Sequence, residues 1–450
     1  MQLCHPLVRS VLITLLFFAG AATGQDLREY VQAKDPAFAV TSERLVEEGD
    51  GLRLYRVGFD SLRWRDAFEV IPGVWHHNVL IAVPDQLRSD KVFLHITGGH
   101  LLEAQDSMTG LLQEMARELG MVVAELHNIP NQPLLFTGNP LIEVEDGIIA
   151  WSWQQFLKDP DPTWLAQYPQ TKAAVAGMDV VEEFVIRHTG TAPGGFINAG
   201  ASKRGWTTWL TAVADPRVIA IAPMVIDVLN AVPSMKHHNA SLGFWSEAVG
   251  DYVRHGVMDR IDTPEVDQLL ALIDPWEHRA QLTLPKLMIN AANDQFFLPD
   301  SSLFYYDDLP GAKYLRYNAN HGHGLSEAAV GESLVPFVVS LVHGEPMPAF
   351  TWEYNGEQEV LIRTDPAPAL LRVWEAVNPD ARDFRAMDEA VPVYRSRDIS
   401  IPPAPDATRV RVEAPERGWK SWFVEAVWSR RTGPALHLST QARVIPADAL

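Results

Sequence analysis

The sequence predicts an α/β protein: a largely parallel sheet covered by helices, a helical insertion between two late strands, and a small antiparallel β domain at the C-terminal end. Three observations carry this. Apolar runs of strand length alternate with helical patterns from residue 92 to residue 342, the signature of a parallel sheet. A strand at 195–199 runs through Gly200-Ala201-Ser202 straight into a helix. After Gly344 the pattern changes to short strands separated by Pro and Gly. At about 150 residues per domain, a chain of 450 residues holds two or three domains. A composition 47% hydrophobic and 21% charged excludes disorder, collagen and coiled coil. With 37 basic against 57 acidic side chains the net charge is −20. Such a chain repels phosphate backbones, so no nucleic-acid partner is expected.

Residues 1–24 read as a signal peptide. Arg9 precedes an apolar run over 11–22, and the small residues Ala22-Thr23-Gly24 follow, with cleavage near Gly24–Gln25. The run is too short to span a bilayer comfortably. No stable membrane insertion is expected after cleavage, and the location is secreted or periplasmic. Cys4 is the single cysteine, so the mature chain carries no disulfide framework.

A polar segment follows. Residues 52–57 alternate as a half-buried strand does, and 77–83 form a strand that stops at Pro84-Asp85. Then come a strand at 92–96 ending in Thr97-Gly98-Gly99, a helix at 108–119 and a buried strand at 121–126. The Pro- and Trp-rich stretch 128–170 has weaker periodicity and reads as an insertion over the sheet edge. Helices at 171–188 and 203–213 bracket the strand at 195–199, and a strand at 218–226 follows. Residues 227–280 are mostly helical and read as a lid. Strands at 287–291 and 313–316 and a helix at 328–342 close the first domain, residues 25–344. Strands at 360–363, 370–376, 409–413 and 422–428 suggest a β-sandwich-like domain over 345–450.

The chemistry centres on Gly200-Ala201-Ser202-Lys203-Arg204-Gly205. A strand entering Gly-x-Ser and leaving as a helix is a nucleophile elbow, which lifts the hydroxyl above the sheet of an α/β-hydrolase. Arg204 stands where the usual second Gly would be, and Gly205 comes one later. A nucleophilic Ser needs a base, and the base needs an orienting acid, in the chain order Ser, acid, His. Asp294 follows the strand at 287–291, and His323 lies in the loop after the last strand. Asp300 and Asp227 are the substitute acids, Asp227 being preferred as a hinge or supporting residue. His321 is the rival base. The amide of Lys203 and the bare backbone of Gly98 or Gly99 are the oxyanion donors. Arg204, His100, His321 and Trp206 are candidate substrate contacts. The basic pair Lys203-Arg204 serves either a carboxylate on the substrate or neighbouring acids.

No cofactor is implied. His76-His77 cannot share an ion if they lie on a strand, where neighbours face opposite sides, and neither they nor His237-His238 form a known metal motif. No catalytic metal is expected. Trp151, Trp153, Trp206 and Trp209 line a pocket or pack the core.

Several segments resemble one family. Gly200-Ala201-Ser202-Lys203-Arg204-Gly205-Trp206-Thr207-Thr208-Trp209, Asp215-Pro216-Arg217-Val218, Pro130-Asn131-Gln132-Pro133-Leu134, Glu145-Asp146, Phe296-Phe297-Leu298-Pro299-Asp300 and Gly322-His323-Gly324-Leu325 are similar to those of the PhoPQ-activated pathogenicity-related proteins. The resemblance implies an α/β-hydrolase fold and an exported protein; the family's name records a regulatory circumstance and no reaction. Where the family has Pro-Asn before the final Gly-His, this chain has Ala319-Asn320-His321. The Ser-Lys-Arg-Gly elbow is also similar to that of glucuronoyl esterases, where a basic residue follows the Ser. The sequence thus points to an exported serine hydrolase acting on an ester or peptide substrate. The alternative is a non-catalytic extracellular binding or signalling protein on the same scaffold.

Overall fold

Among the described residues nine strands form the central sheet: β1 (Ala39–Gly49), β2 (Leu52–Arg63), β3 (Val74–Pro84), β4 (Lys91–Ile96), β5 (Val122–Leu126), β6 (Gly195–Ala201), β7 (Val218–Met224), β8 (Lys286–Ala291) and β9 (Lys313–Asn318). Across the sheet they run β1-β2-β3-β5-β4-β6-β7-β8-β9. Pairing is antiparallel from β1 to β5 and parallel from β5 to β9. This computed structural model describes residues 26–101, 103, 105–387, 392–401, 407–431 and 433–446. The expected signal peptide, residues 1–24, lies outside them.

The parallel strands are buried on both faces, which is why they read as short continuous apolar runs. Alternate residues feed two cores. Val92, Leu94 and Ile96 of β4 enter one, and Phe93 enters the other. The first core is closed by the helices Gln167–Thr189 and Lys203–Ala214. The second is closed by Gly110–Leu119 and Glu327–His343. This is the α/β-hydrolase arrangement, and it brings the ends of β6, β8 and β9 to one edge of the sheet.

Between β7 and β8 lie the helices Ala231–Leu242, Gly250–Arg254 and Pro264–Ile273, with no strand among them. The stretch 128–170 carries the helix Asp146–Lys158, whose buried residues include Ile148, Ile149, Trp151 and Trp153. A helix buried on nearly every side shows no amphipathic stripe. Beside it, Val70–Ile71, Leu134–Phe136 and Ile142–Glu143 make a small antiparallel sheet.

Two further antiparallel sheets lie towards the C-terminal end. One joins Ala349–Tyr354, Glu359–Asp365 and Thr408–Arg411. The other is built on Leu370–Asn378 and Trp419–Trp428. Val360, Ile362, Val373 and Trp422 from the two sheets share an apolar cluster with Phe337 and Val338 of the closing helix. Polar contacts tie this part to the central sheet: the Tyr317 amide of β9 donates to Ser439 Oγ at 2.8 Å, and Arg316 pairs with Glu425. Among the described residues no helix is long and apolar enough to cross a membrane.

Candidate active site

Ser202 stands at the junction of β6 and the helix Lys203–Ala214, with φ +57° and ψ −128°. A non-glycine residue in that region is strained, and such strain persists only where the surroundings enforce it. Here the Ser202 amide donates to Met224 O of β7 at 2.8 Å, and the Trp206 amide donates back to Ser202 O at 3.1 Å. The shifted glycine of the elbow has a packing reason. A Cβ on Gly205 would come within 2.7 Å of Ile226 Cγ2, 3.0 Å of Gly200 O and 3.1 Å of Met224 O. Position 205 is therefore the one that faces the sheet, and position 204 points away from it.

Arg204 points to Glu145. Its two terminal nitrogens donate to the two Glu145 oxygens at 2.6 Å each, and its Nε donates to Ile129 O. Lys203 Nζ lies 2.9 Å from Glu145 and 3.0 Å from Asp146. The two basic side chains next to the elbow are thus matched by two acids at the start of the helix Asp146–Lys158. Desolvation pushes the Glu145 carboxyl up, but Arg204 and then Lys203 outweigh it and hold it down at about 2. The network reaches the loop after β4. Gln132 Nε2 donates to Gly99 O at 2.8 Å and to Glu145 at 2.5 Å, and a Cβ on Gly98 would lie 2.3 Å from Arg204 Nη2. Bare backbone at Gly98 is what lets the guanidinium lie under that loop.

We expect Glu145→Gln to lower stability by about 2–3 kcal/mol in chemical denaturation. That is less than the full cost of breaking a buried pair, because the Glu145 side chain keeps 36% of its exposure while Lys203 and Arg204 keep 7% and 11%. The native carboxylate's contribution is present above its unfolded pKa and is lost as pH falls towards about 2. The variant should therefore lose least relative to the native protein in acid, and a difference that does not shrink below pH 4 would contradict this account.

At the ends of β8 and β9, Asp294 and His323 meet. His323 Nδ1–H donates to the Asp294 carboxylate, with 2.9 Å and 3.0 Å to its two oxygens. Asp294 also accepts from the Phe296 amide at 2.8 Å, and the His323 amide donates to Gln295 Oε1 at 2.8 Å. The Phe296 ring lies against the imidazole at 4.3 Å between centroids. Segment 382–386 braces this corner: Asn293 donates to Phe384 O, Gln295 to Ala386 O, and Arg382 to Asp300.

The other candidates sit elsewhere. Asp300 is held by Arg382 and His237. Asp227 accepts from the hydroxyls of Tyr305 and Tyr317, both at 2.5 Å. His321 engages its own loop, with Nδ1 2.9 Å from Ala319 O. Among the described residues no hydrogen bond joins Ser202 Oγ to His323. His76 pairs with Asp60 and His77 with Ser61, as opposite strand faces require. Trp206 and Trp153 border a cleft beside Ser202 together with Phe296 and Phe297, whereas Trp209 is fully buried and Trp151 packs against Phe136 and His255. His323 and His95 border a second, separate cavity. His100 lies in the loop after β4.

Burial pushes the Asp227 carboxyl up to about 7, against the hydrogen bonds of the two tyrosines. A carboxyl raised on folding keeps its proton where the unfolded chain has lost it, so its stabilising contribution fades as pH rises from about 4 through 7. The stability of Asp227→Asn relative to the native protein should therefore climb over that window and level above it. Melting curves at stepped pH read this, and a flat difference would refute it.

The sequence did not assign Glu145, Asp146 and Gln132 a role. The signal for the acids was charge complementarity, Glu-Asp against Lys-Arg, but the partners are 59 residues apart at Glu145 and Arg204.

The family model of the PhoPQ-activated pathogenicity-related proteins matches residues 27–385. The chain belongs to this family. Autocrine proliferation repressor protein A of Dictyostelium discoideum is 34% identical over 440 residues, which is 92% of this chain and 88% of that protein. Among solved structures, the acetyl xylan esterase from Paenibacillus sp. R4 is 15% identical with a TM-score of 0.48, covering 71% of this chain and 92% of that one. The glucuronoyl esterase from Solibacter usitatus is 13% identical with a TM-score of 0.40, covering 68% and 87%. The match to the PhoPQ-activated pathogenicity-related family runs from before β1 through Arg385, so it takes in both the elbow and the corner holding Asp294 and His323.

Proposed function

We propose that the protein is an exported serine hydrolase. Ser202 attacks a carbonyl carbon, His323 takes the hydroxyl proton and returns it to the leaving group, and Asp294 fixes the tautomer of His323. The Lys203 amide, at the first turn of its helix, and an amide of Gly98 or Gly99 receive the oxyanion. The observation that carries this reading is the two-oxygen contact of Asp294 with His323 on the same sheet edge as the strained Ser202. Supporting it, neither Gly98 nor Gly99 spends its amide in a hydrogen bond among the described residues. Catalytic contacts often tighten only when substrate arrives, so the Ser202–His323 hydrogen bond belongs to the substrate complex. In this reading residues 227–280 form the lid and 345–450 a separate β domain that steadies the acid loop. Lys203 and Arg204 hold the elbow and the loop after β4 in register through Glu145, Asp146 and Gln132.

The test is covalent labelling of the purified protein by a fluorophosphonate, with the adduct mapped by peptide mass. Labelling at Ser202 supports the hydrolase. A second reading, a signalling protein on a hydrolase scaffold, is favoured by the name of the Dictyostelium relative, an autocrine repressor of proliferation. A folded protein that never labels would favour that reading.

A further inference from the structure

We propose that the cleft beside Ser202 is a pocket for the apolar acyl chain of a carboxylic ester. This rests on the serine-hydrolase reading above and names its substrate class. The cleft is narrow, with a cavity volume of about 60 Å³ inside an envelope of about 640 Å³ that includes open solvent. Its lining is largely apolar, with Val228, Ala231 and Met235 from the chain after β7 and Met258 and Leu270 from the helical segments before β8.

Apart from the Ser202 hydroxyl, the polar side chains that border it are already spent. Trp206 Nε1 donates to Ile273 O at 2.7 Å, Trp153 Nε1 to Gln167 at 3.1 Å, and the Tyr252 hydroxyl to Asp146 at 3.1 Å. The charges cancel as well. Lys203 and Arg204 face Glu145 and Asp146, two against two. A carboxylate on the acyl group would meet no unspent cation there, and a peptide amine no unspent carboxylate; either would be desolvated without a partner. An alkyl or aryl chain loses nothing and gains burial. The two tryptophans meet edge to face at 5.8 Å and, with Met235 and Met258, give a wall of apolar, polarisable groups.

In the reaction, Ser202 Oγ bonds to the acyl carbon, the ester C–O bond breaks, and the Ser202 proton passes through His323 to the departing alkoxide. Water then releases the acid and restores the hydroxyl.

The experiment is a series of p-nitrophenyl esters from acetyl to decanoyl, with p-nitrophenyl hemisuccinate as the charged control, alongside fluorophosphonate labelling. We expect kcat/KM to rise about threefold per methylene beyond acetyl until the cleft is full, and hemisuccinate to fall at least tenfold below butyrate. Ala231→Phe, which fills the cleft, should cut the ratio of octanoate to acetate at least tenfold, and the milder Ala231→Leu should cut it in the same direction if the larger substitution does not fold. Labelling at Ser202 with acetate or hemisuccinate as the best substrate would overturn the pocket assignment and leave the hydrolase standing. No labelling at all would overturn both.

Discussion

Replacing Ser202 with alanine should abolish fluorophosphonate labelling and lower ester turnover by about 10⁴–10⁶-fold, with melting temperature nearly unchanged. Removing a triad nucleophile leaves only what substrate binding and oxyanion donors contribute. Folding should survive because the side chain of Ser202 makes no hydrogen bond among the described residues, and its backbone is held by Met224 and Trp206 through main-chain atoms that alanine keeps. Alanine also keeps the strain of φ +57°. Glycine does not, so Ser202→Gly should be equally inactive yet more stable by about 1 kcal/mol. Both variants lack the hydroxyl, so the pair reads the strain through stability alone: equal melting temperatures for alanine and glycine would mean that φ +57° costs the fold nothing. A Ser202→Ala protein that still labels and turns over at the native rate would end the mechanism proposed here.

The legibility of this chain in its sequence followed burial. The parallel strands and the helices covering them were readable, because strands buried on both faces give continuous apolar runs. Strand β1 was not, because Glu43, Glu47 and Glu48 lie on a solvated edge strand with no apolar alternation. The helix Asp146–Lys158 was hidden for the opposite reason: it is buried on nearly every side and shows no stripe. At the site, the elbow, the acid loop and the final His loop were each visible as local motifs at strand ends. What joins them was not. Gln132 reaching Gly99, Glu145 gripping Arg204, and segment 382–386 bracing Asp294's loop are contacts between distant stretches. Each involves residues whose local sequence would serve equally well as solvated surface. The basic pair after Ser202 shows the limit best: sequence allowed either a substrate carboxylate or neighbouring acids, and only the position of Glu145 and Asp146 decides what those two charges face.

His323→Ala and His321→Ala should part company sharply, although the two residues share one loop. His323 is the one whose Nδ1 meets Asp294, so its Nε2 is left to accept a proton. His321 turns its Nδ1 to Ala319 O within the loop and its Nε2 towards Ser326. We expect His323→Ala to lose at least about 10⁴-fold in kcat/KM and His321→Ala to stay within about tenfold. Structural damage is the competing explanation, since the loop backbone also carries the contact from the Asn293 amide to His321 O. Two readouts separate them. Asp294→Asn should reproduce most of the His323→Ala loss without touching the loop, because an amide cannot hold the required tautomer. The acid limb of the pH–rate profile, which reports protonation of the base, should persist in His321→Ala and be absent from the residual activity of His323→Ala. The opposite pattern, with His321 essential and His323 dispensable, would mean that the base reaches Ser202 from the other side of Gly322 and that the Asp294–His323 contact is only a brace for the loop.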